Sequence, residues 1–347
     1  MFPYWLLFAY FAAGTLLSDN TSHARERVSL ILVAGIVLTA LMIGLRFEVG
    51  ADWATYQLLF SYAGYADLGR ALEIGDPGYE LLNWTVRSLD AEIWLVNLVC
   101  GAIFCWGLLR FAQAQPSPWL AVLVAVPYLI IVVAMGYTRQ AVAIGILMAG
   151  LAAVHRGASN LRFAAYVGFA ALFHKTAVVA LPLVVFSSEK NRFGNIIAGL
   201  LATYFFYTSF LADSVDHFVR NYIEAHYSSQ GAAIRVAMNI VPATLFLFLR
   251  RRLGFSDREQ KIWFFHSVAA FGLLALLIVL PSSTAVDRLA LYIMPLQMAV
   301  LSRVPNVVGS RQGTILIVVY SLAVQFVWLN FATHAKYWVP YRLYPLF

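Results

Sequence analysis

Apolar runs long enough to cross a bilayer, each broken off by a small charged cluster, constrain this chain more than any other feature. A transmembrane helix needs roughly 20 apolar residues, and fewer where neighbouring helices shield it. Twelve runs qualify: 2–17, 28–45, 92–110, 119–136, 140–154, 162–173, 176–187, 196–211, 234–249, 262–281, 289–301 and 314–331. Backbone inside lipid must satisfy its own hydrogen bonds, so such runs read as helices. Pro127, Pro182, Pro242 and Pro295 interrupt four of them and predict kinks or re-entrant segments. The stretch 162–187 reads either as two short helices meeting at His174 or as one hairpin that does not fully cross. The fold class expected is all-α: a single polytopic membrane domain over 1–347 with about 12 transmembrane helices, its largest loops being 46–91 and 212–233.

Composition agrees. The chain is 61% hydrophobic and 12% charged, about half the charge of a soluble domain. A net charge of +7 raises the question of nucleic acid. The basic residues, however, sit in short loops, as the positive-inside rule requires, so no nucleic-acid partner is expected. Alternate loops (18–27, 110–118, 155–162, 188–195, 250–261 and 302–313) hold 14 of the 24 basic residues against 5 acidic ones. That side is expected to be cytoplasmic. The remaining loops and both termini would then face outward. Cys100 and Cys105 lie within one apolar run and read as packing residues. Met1 is followed almost at once by an apolar run without a basic leader, which reads as a retained helix rather than a signal peptide. Walker A, G-x-G-x-x-G and D-x-D patterns are all missing from the sequence, so a nucleotide-driven reaction and a nucleotide-sugar metal site are not expected. No metal and no cofactor are assigned.

The charged clusters all fall on the outward side. Arg46-Phe-Glu48-Val-Gly-Ala-Asp52-Trp53-Ala-Thr-Tyr56 offers an arginine for an anionic group, a carboxylate as base or sugar ligand, and aromatic faces for stacking. Its bland alternative is a snorkelling Arg46 and an Asp52 that caps the next helix. Asp76-Pro77-Gly78-Tyr79-Glu80 reads as a turn opening a helix, with Asp76 as cap and Glu80 as a candidate ligand. Arg139 beside Gln140 supplies a rigid donor fork suited to phosphate oxygens, or else an ion pair with Asp52 or Glu48 that locks helices together. His174-Lys175 breaks an apolar stretch; histidine is the side chain most readily used for proton transfer near neutral pH. Asp287 reads as a partner of Arg288 or as a helix cap. Arg235 opens a span, and Arg342 lies near the end of the chain. Arg220, Glu224 and His226 read as a solvated face.

These segments, in this order, resemble the EpsG family of polysaccharide polymerases. Arg46-x3-Gly50-x-Asp52-x3-Tyr56 is similar to its R-x-x-x-G-x-D-x-x-x-Y signature, and Asp76-Pro-Gly-Tyr79-x-Leu-Leu-Asn83 to its next segment. Tyr137-Thr-Arg139-Gln140-x-x-Ala143 resembles its R-Q-x-x-A helix start. Phe173-His174-Lys175-Thr176-Ala177 looks like its F-H-x-S/T-A element. Asp287-Arg288-Leu-x-x-Tyr292 and Pro340-Tyr341-Arg342 resemble its later segments. Trp53 and Ala54 depart from the pattern, and the first 45 residues match only in hydropathy.

The resemblance implies a Wzy-type polymerase on a GT-C-like membrane scaffold in a bacterial inner membrane, with its site facing the periplasm. Its partners would be undecaprenyl-diphosphate-linked oligosaccharides as donor and acceptor, membrane lipids, and a Wzz-type chain-length co-polymerase. On that reading Arg46, Arg139, Lys175, Arg288 and Arg342 hold the diphosphate. Glu48, Trp53, Tyr56, Glu80, Tyr137 and Gln140 contact sugar, and Asp52 and His174 compete for the role of base. Two rivals stay open: a flippase for the same lipid, and a membrane acyltransferase using His174. A flippase needs charges along a central path; an acyltransferase needs an acyl-donor motif that the sequence does not offer.

Overall fold

The computed structural model describes residues 1–18, 29–65, 67–185, 197, 204, 231–280 and 283–346. It is built of helices, and among the described residues the one β-type pairing is an isolated antiparallel bridge between Arg46 and Leu343. In chain order the helices are α1 (Phe2–Leu17), α2 (Leu30–Gly44), α3 (Trp53–Ala63), α4 (Leu68–Ile74), α5 (Pro77–Ser88), α6 (Ile93–Ala112), α7 (Pro118–Ala125), α8 (Thr138–His155), α9 (Asn160–Phe173) and α10 (Ala180–Val185). They continue as α11 (Ala232–Leu249), α12 (Asp257–Val279), α13 (Thr284–Ala290), α14 (Pro295–Leu301), α15 (Pro305–Val308) and α16 (Ser310–Phe331).

Five of these, α6, α8, α11, α12 and α16, are long and apolar enough to cross a membrane, and a sixth span arises if the bent pair Thr284–Ile293 and Pro295–Val308 counts as one. Four shorter apolar helices accompany them: Phe2–Leu17, Leu30–Gly44, Pro118–Ala134 and Asn160–Phe173. Of the two remaining apolar runs, 196–211 lies outside the described residues apart from Ile197 and Tyr204, as does most of the 212–233 loop. The described part of the run 176–187 is a 3₁₀ turn, Lys175–Val179, followed by α10. Because α10 packs on α9, the chain doubles back at His174, whose backbone is extended.

The prolines act as their chemistry requires. Pro127 has no N–H to give to the α ladder, and from Val126 to Ala134 the helix widens into a π-helix. The indole N–H of Trp338 donates to the Ile131 carbonyl inside it at 2.7 Å. Pro295 opens the second limb of the bent pair, which turns by 43°.

The loop 46–91 is folded into α3, α4 and α5, with α5 resting on α3, α6 and α9. Gly50 sits at φ +108°, a left-handed conformation that favours glycine, and a Cβ there would lie 2.5 Å from the Met135 carbonyl oxygen. The glycine of the first motif thus lets the loop lie directly on the end of the π-helix segment. The C-terminal segment covers it: Tyr344 N–H donates to Leu45 O at 2.7 Å and Phe47 N–H to Arg342 O at 3.0 Å.

Candidate functional site

The charged clusters, separated by up to some three hundred residues of chain, are joined at one end of the helix bundle. Asp76 is the hub. Its Oδ2 accepts from the Arg139 guanidinium at 2.9 Å, and its Oδ1 accepts the backbone N–H of Lys175 at 3.1 Å. One buried carboxylate therefore holds α5, the start of α8 and the His174 turn together. It stands at the N-terminus of α5 but makes no side-chain cap, so the capping role expected for it is replaced by this tertiary one. Burial raises its pKa above the usual carboxylate value, while the Arg139 charge and the Lys175 N–H oppose that rise. Gly78 permits the contact: a Cβ there would meet the Leu172 backbone at 3.0 Å.

His174 lies beside this hub. Its Nδ1 is 2.9 Å from Thr176 Oγ1, which is 3.0 Å from the Tyr292 hydroxyl. Burial, and then the charges of Arg139, Arg288 and Lys175, depress the imidazole below its ordinary value. The ring is accordingly neutral at pH 7 and can accept a proton. Asp52, about one-third exposed, faces Arg288 with 3.7 Å between carboxylate and guanidinium. Arg288 also lies over the Tyr137 ring, 4.4 Å from its centroid, and its carbonyl oxygen accepts from Gln140 Nε2 at 2.7 Å.

The other expected site residues take two kinds of position. Arg46 is turned inward and buried, donating to the Ile43 carbonyl, to Asn97 Oδ1 at 3.0 Å and to Thr138 Oγ1 at 2.7 Å. It ties α2, α6 and α8 together; in this structure it does not face the hub's open side. Arg342 pairs with Glu48 at the surface. Trp53, Tyr56, Glu80 and Gln140 are all buried, forming a wall behind the cations. The Tyr56 and Tyr79 rings stand 5.7 Å apart, each about 6 Å from the Arg139 guanidinium. Burial raises the Glu80 carboxyl above the usual carboxylate value, against the Asn83 amide that donates to it.

Asp287 pairs with Arg235, tying α13 to α11. The sequence reading missed two hub residues, Asp76 and Thr176, as site members. Both stand inside motifs that it had quoted, so the signal was present, but a D-P turn and a threonine next to a helix start have common structural explanations. Among the described residues no three His, Cys, Asp or Glu side chains come together as a metal site.

A second polar cluster occupies the far end. Arg303 donates to Gln115 and to Glu259 Oε1 at 3.1 Å, and His155 lies 3.6 Å from the same carboxylate. Arg139 and His155 are both on α8, so the two clusters are about 24 Å apart along its axis.

No curated protein and no solved structure matches the chain. A family model does: the motifs now joined around Asp76 lie within its match over residues 29–343, and the chain belongs to the EpsG family.

Proposed function

We propose that this protein is a Wzy-type polysaccharide polymerase. On this reading it transfers a growing glycan from undecaprenyl diphosphate to a hydroxyl of a second lipid-linked repeat unit, at the periplasmic face of an inner membrane crossed by twelve segments of the chain. Family membership points to polysaccharide polymerisation. The observation that carries the finer reading is the convergence of Arg139, Lys175 and Arg288 on a neutral His174 at one end of the bundle. An anionic leaving group needs cations, and an attacking hydroxyl needs a base.

The chemistry is one displacement at the anomeric carbon with inversion. The acceptor oxygen forms a bond to C1 as its proton passes to the base, and the C1–O bond to the diphosphate breaks with its electron pair leaving on the phosphate oxygen. Arg139 and Arg288 present guanidinium forks to that oxygen and its neighbours. His174 is the better base, since Asp52 already faces Arg288. Burial, together with these cations, keeps the ring neutral and makes it a weak base. A bound diphosphate offsets their charge and raises the ring's affinity for a proton, so the donor itself readies the base. Tyr137, beside Arg288, offers a face for sugar. Arg46 holds the frame, and Arg342 and Glu48 close its rim.

The test is purified protein in liposomes supplied with an undecaprenyl-diphosphate-linked repeat unit. Longer lipid-linked glycans and free undecaprenyl diphosphate are expected. Transbilayer movement without elongation would identify a flippase instead, and acylated sugar an acyltransferase.

A further inference from the structure

Helix α11 leaves the site end of the bundle, where Arg235 meets Asp287. Its 18 residues carry the chain about 27 Å to a turn that leads into α12. This turn and the start of α12 hold Arg250, Arg251, Arg252, Arg258 and Lys261. The arginines are not equivalent. Arg258 spends its donors on the protein, reaching the Ala158 carbonyl at 2.8 Å and Asn160 Oδ1 at 3.2 Å. Arg250 and Arg251 are exposed, and among the described residues neither side chain is engaged in a hydrogen bond or ion pair. Together with Asp257, Gln260, Lys261 and Phe264 they line a pocket of about 370 Å³. Small-molecule sites run from roughly 300 to 1,000 Å³.

The α12 wall of this pocket is a single stripe. Asp257, Gln260, Lys261 and Phe264 stand at i, i+3, i+4 and i+7, the spacing of one helix face. The same stripe runs on through Val268 and Phe271, both exposed. Phe248, two residues before Arg250 on α11, is exposed as well. In a bilayer such side chains face hydrocarbon, and the cations stand at headgroup level. The lining side chains carry three positive charges, Arg250, Arg251 and Lys261, against the one negative charge of Asp257. Gln260 Nε2 donates to the Phe255 carbonyl at 3.1 Å, which turns its amide oxygen into an acceptor for an incoming hydroxyl. We propose that this pocket binds an anionic glycerophospholipid. Its phosphate lies on the Arg250 and Arg251 forks, which match phosphate oxygens better than point charges do. The hydroxyls of a glycerol headgroup reach Gln260 and Asp257, and an acyl chain follows Phe264, Val268 and Phe271. Basic pockets between membrane helices at the cytoplasmic surface are suited to such headgroups, and this is the end where basic loops predominate. The site is independent of the reaction proposed for the opposite end.

The test is native mass spectrometry of the full-length protein in detergent, titrated with phosphatidylglycerol, phosphatidylethanolamine or phosphatidylcholine. The first phosphatidylglycerol should bind at least tenfold more tightly than either zwitterionic lipid. Arg251→Gln should weaken it about fivefold and Arg250→Gln/Arg251→Gln about 25-fold, at about fivefold for each arginine near an anionic headgroup. Arg162→Gln/Arg311→Gln removes the same charge from exposed positions outside the pocket and should stay within about twofold of wild type. Phe264→Ser should weaken phosphatidylglycerol while leaving its preference over phosphatidylcholine intact. Free glycerol phosphate in large excess should not displace the lipid; displacement would make this a site for soluble phosphate and overturn the lipid. Equal losses in the two double variants would reduce the pocket to general surface charge. Phosphatidylethanolamine binding as tightly as phosphatidylglycerol, or an Arg250→Gln/Arg251→Gln variant that binds like wild type, would overturn it as well.

Discussion

Removing the Asp76 carboxylate should unfasten the candidate site from its scaffold. The side chain accepts two hydrogen bonds, one from a guanidinium at 2.9 Å and one from a main-chain N–H at 3.1 Å. A hydrogen bond to a charged group contributes about 1.5–3 kcal/mol. The Arg139 side chain is 29% exposed, so water screens part of its share, and the two bonds together amount to roughly 2–4 kcal/mol. Asp76→Ala should cost that much. Asp76→Asn keeps an acceptor for the Lys175 N–H but loses the charge, and should cost about 1–2 kcal/mol. The two variants and wild type are compared by SDS titration of purified protein in mixed micelles, followed by circular dichroism. Asp76→Ser is the discriminating control, because serine is as good a helix cap as aspartate. If serine restores full stability, Asp76 acts as a cap for α5 and the hub argument fails. An Asp76→Ala variant within about 0.5 kcal/mol of wild type, the usual scatter for a surface change, refutes it equally.

Four further outcomes follow from the same geometry. Arg139→Ala and Arg288→Ala should each lower kcat/KM about 10- to 150-fold, the equivalent of one charge-assisted hydrogen bond. The lysine variants should recover only part of this, because a point charge lacks the guanidinium fork; full recovery in steady-state kinetics would show that charge alone suffices. His174 is depressed in the fold, so below about pH 6.5 the unfolded chain binds a proton that the native ring refuses, and stability falls with falling pH through that window. His174→Gln should flatten this slope in SDS titrations between pH 7 and pH 5, and an unchanged slope would assign it elsewhere. The acid limb of kcat should lie at higher pH than that of kcat/KM, since bound diphosphate raises the ring's pKa; coincident limbs would argue against His174 as base. For orientation, a cysteine at Tyr65, which is 90% exposed, should react with an impermeant thiol reagent added outside intact cells, and one at Arg251 should not; the reverse pattern would put the candidate site in the cytoplasm.

The helical plan was legible because lipid leaves the backbone few options. The runs 2–17, 234–249 and 314–331 come within a few residues of α1, α11 and α16, and the break at His174 is visible as the polar pair His174-Lys175 inside an apolar stretch. Pairing was not legible. Asp287 next to Arg288 in sequence suggests a partnership, yet consecutive helical residues do not face one another, and Asp287 reaches α11 to meet Arg235. Arg46 and Arg139 look alike from sequence, each following or opening an apolar run. Only the fold separates them: Arg46 meets Asn97 and Thr138 inside the bundle, whereas Arg139 stops at the hub. The aromatic residues of the first motif were read as stacking faces. Trp53 and Tyr56 are buried, on a helix that packs against α5.

The cluster at the opposite end explains how the hub can hold its place. Arg303, Glu259, Gln115 and His155 join α8, α12 and the segments around them at the end where basic loops predominate. Burying such charges is a poor source of net stability, because desolvation offsets most of the attraction. Its effect is on geometry: once formed, the cluster admits few registers of α12 against α8. Helix α8 then carries fixed points at both ends, Glu259 and Arg303 beside His155 and Asp76 at Arg139, with an almost wholly buried apolar face between them. A displacement at one end is transmitted to the other as a rigid-body shift, since a packed helix has little freedom to stretch. The two clusters stand about 24 Å apart along this one helix. Substitutions at Arg303 should disturb turnover without touching a single group that faces the donor.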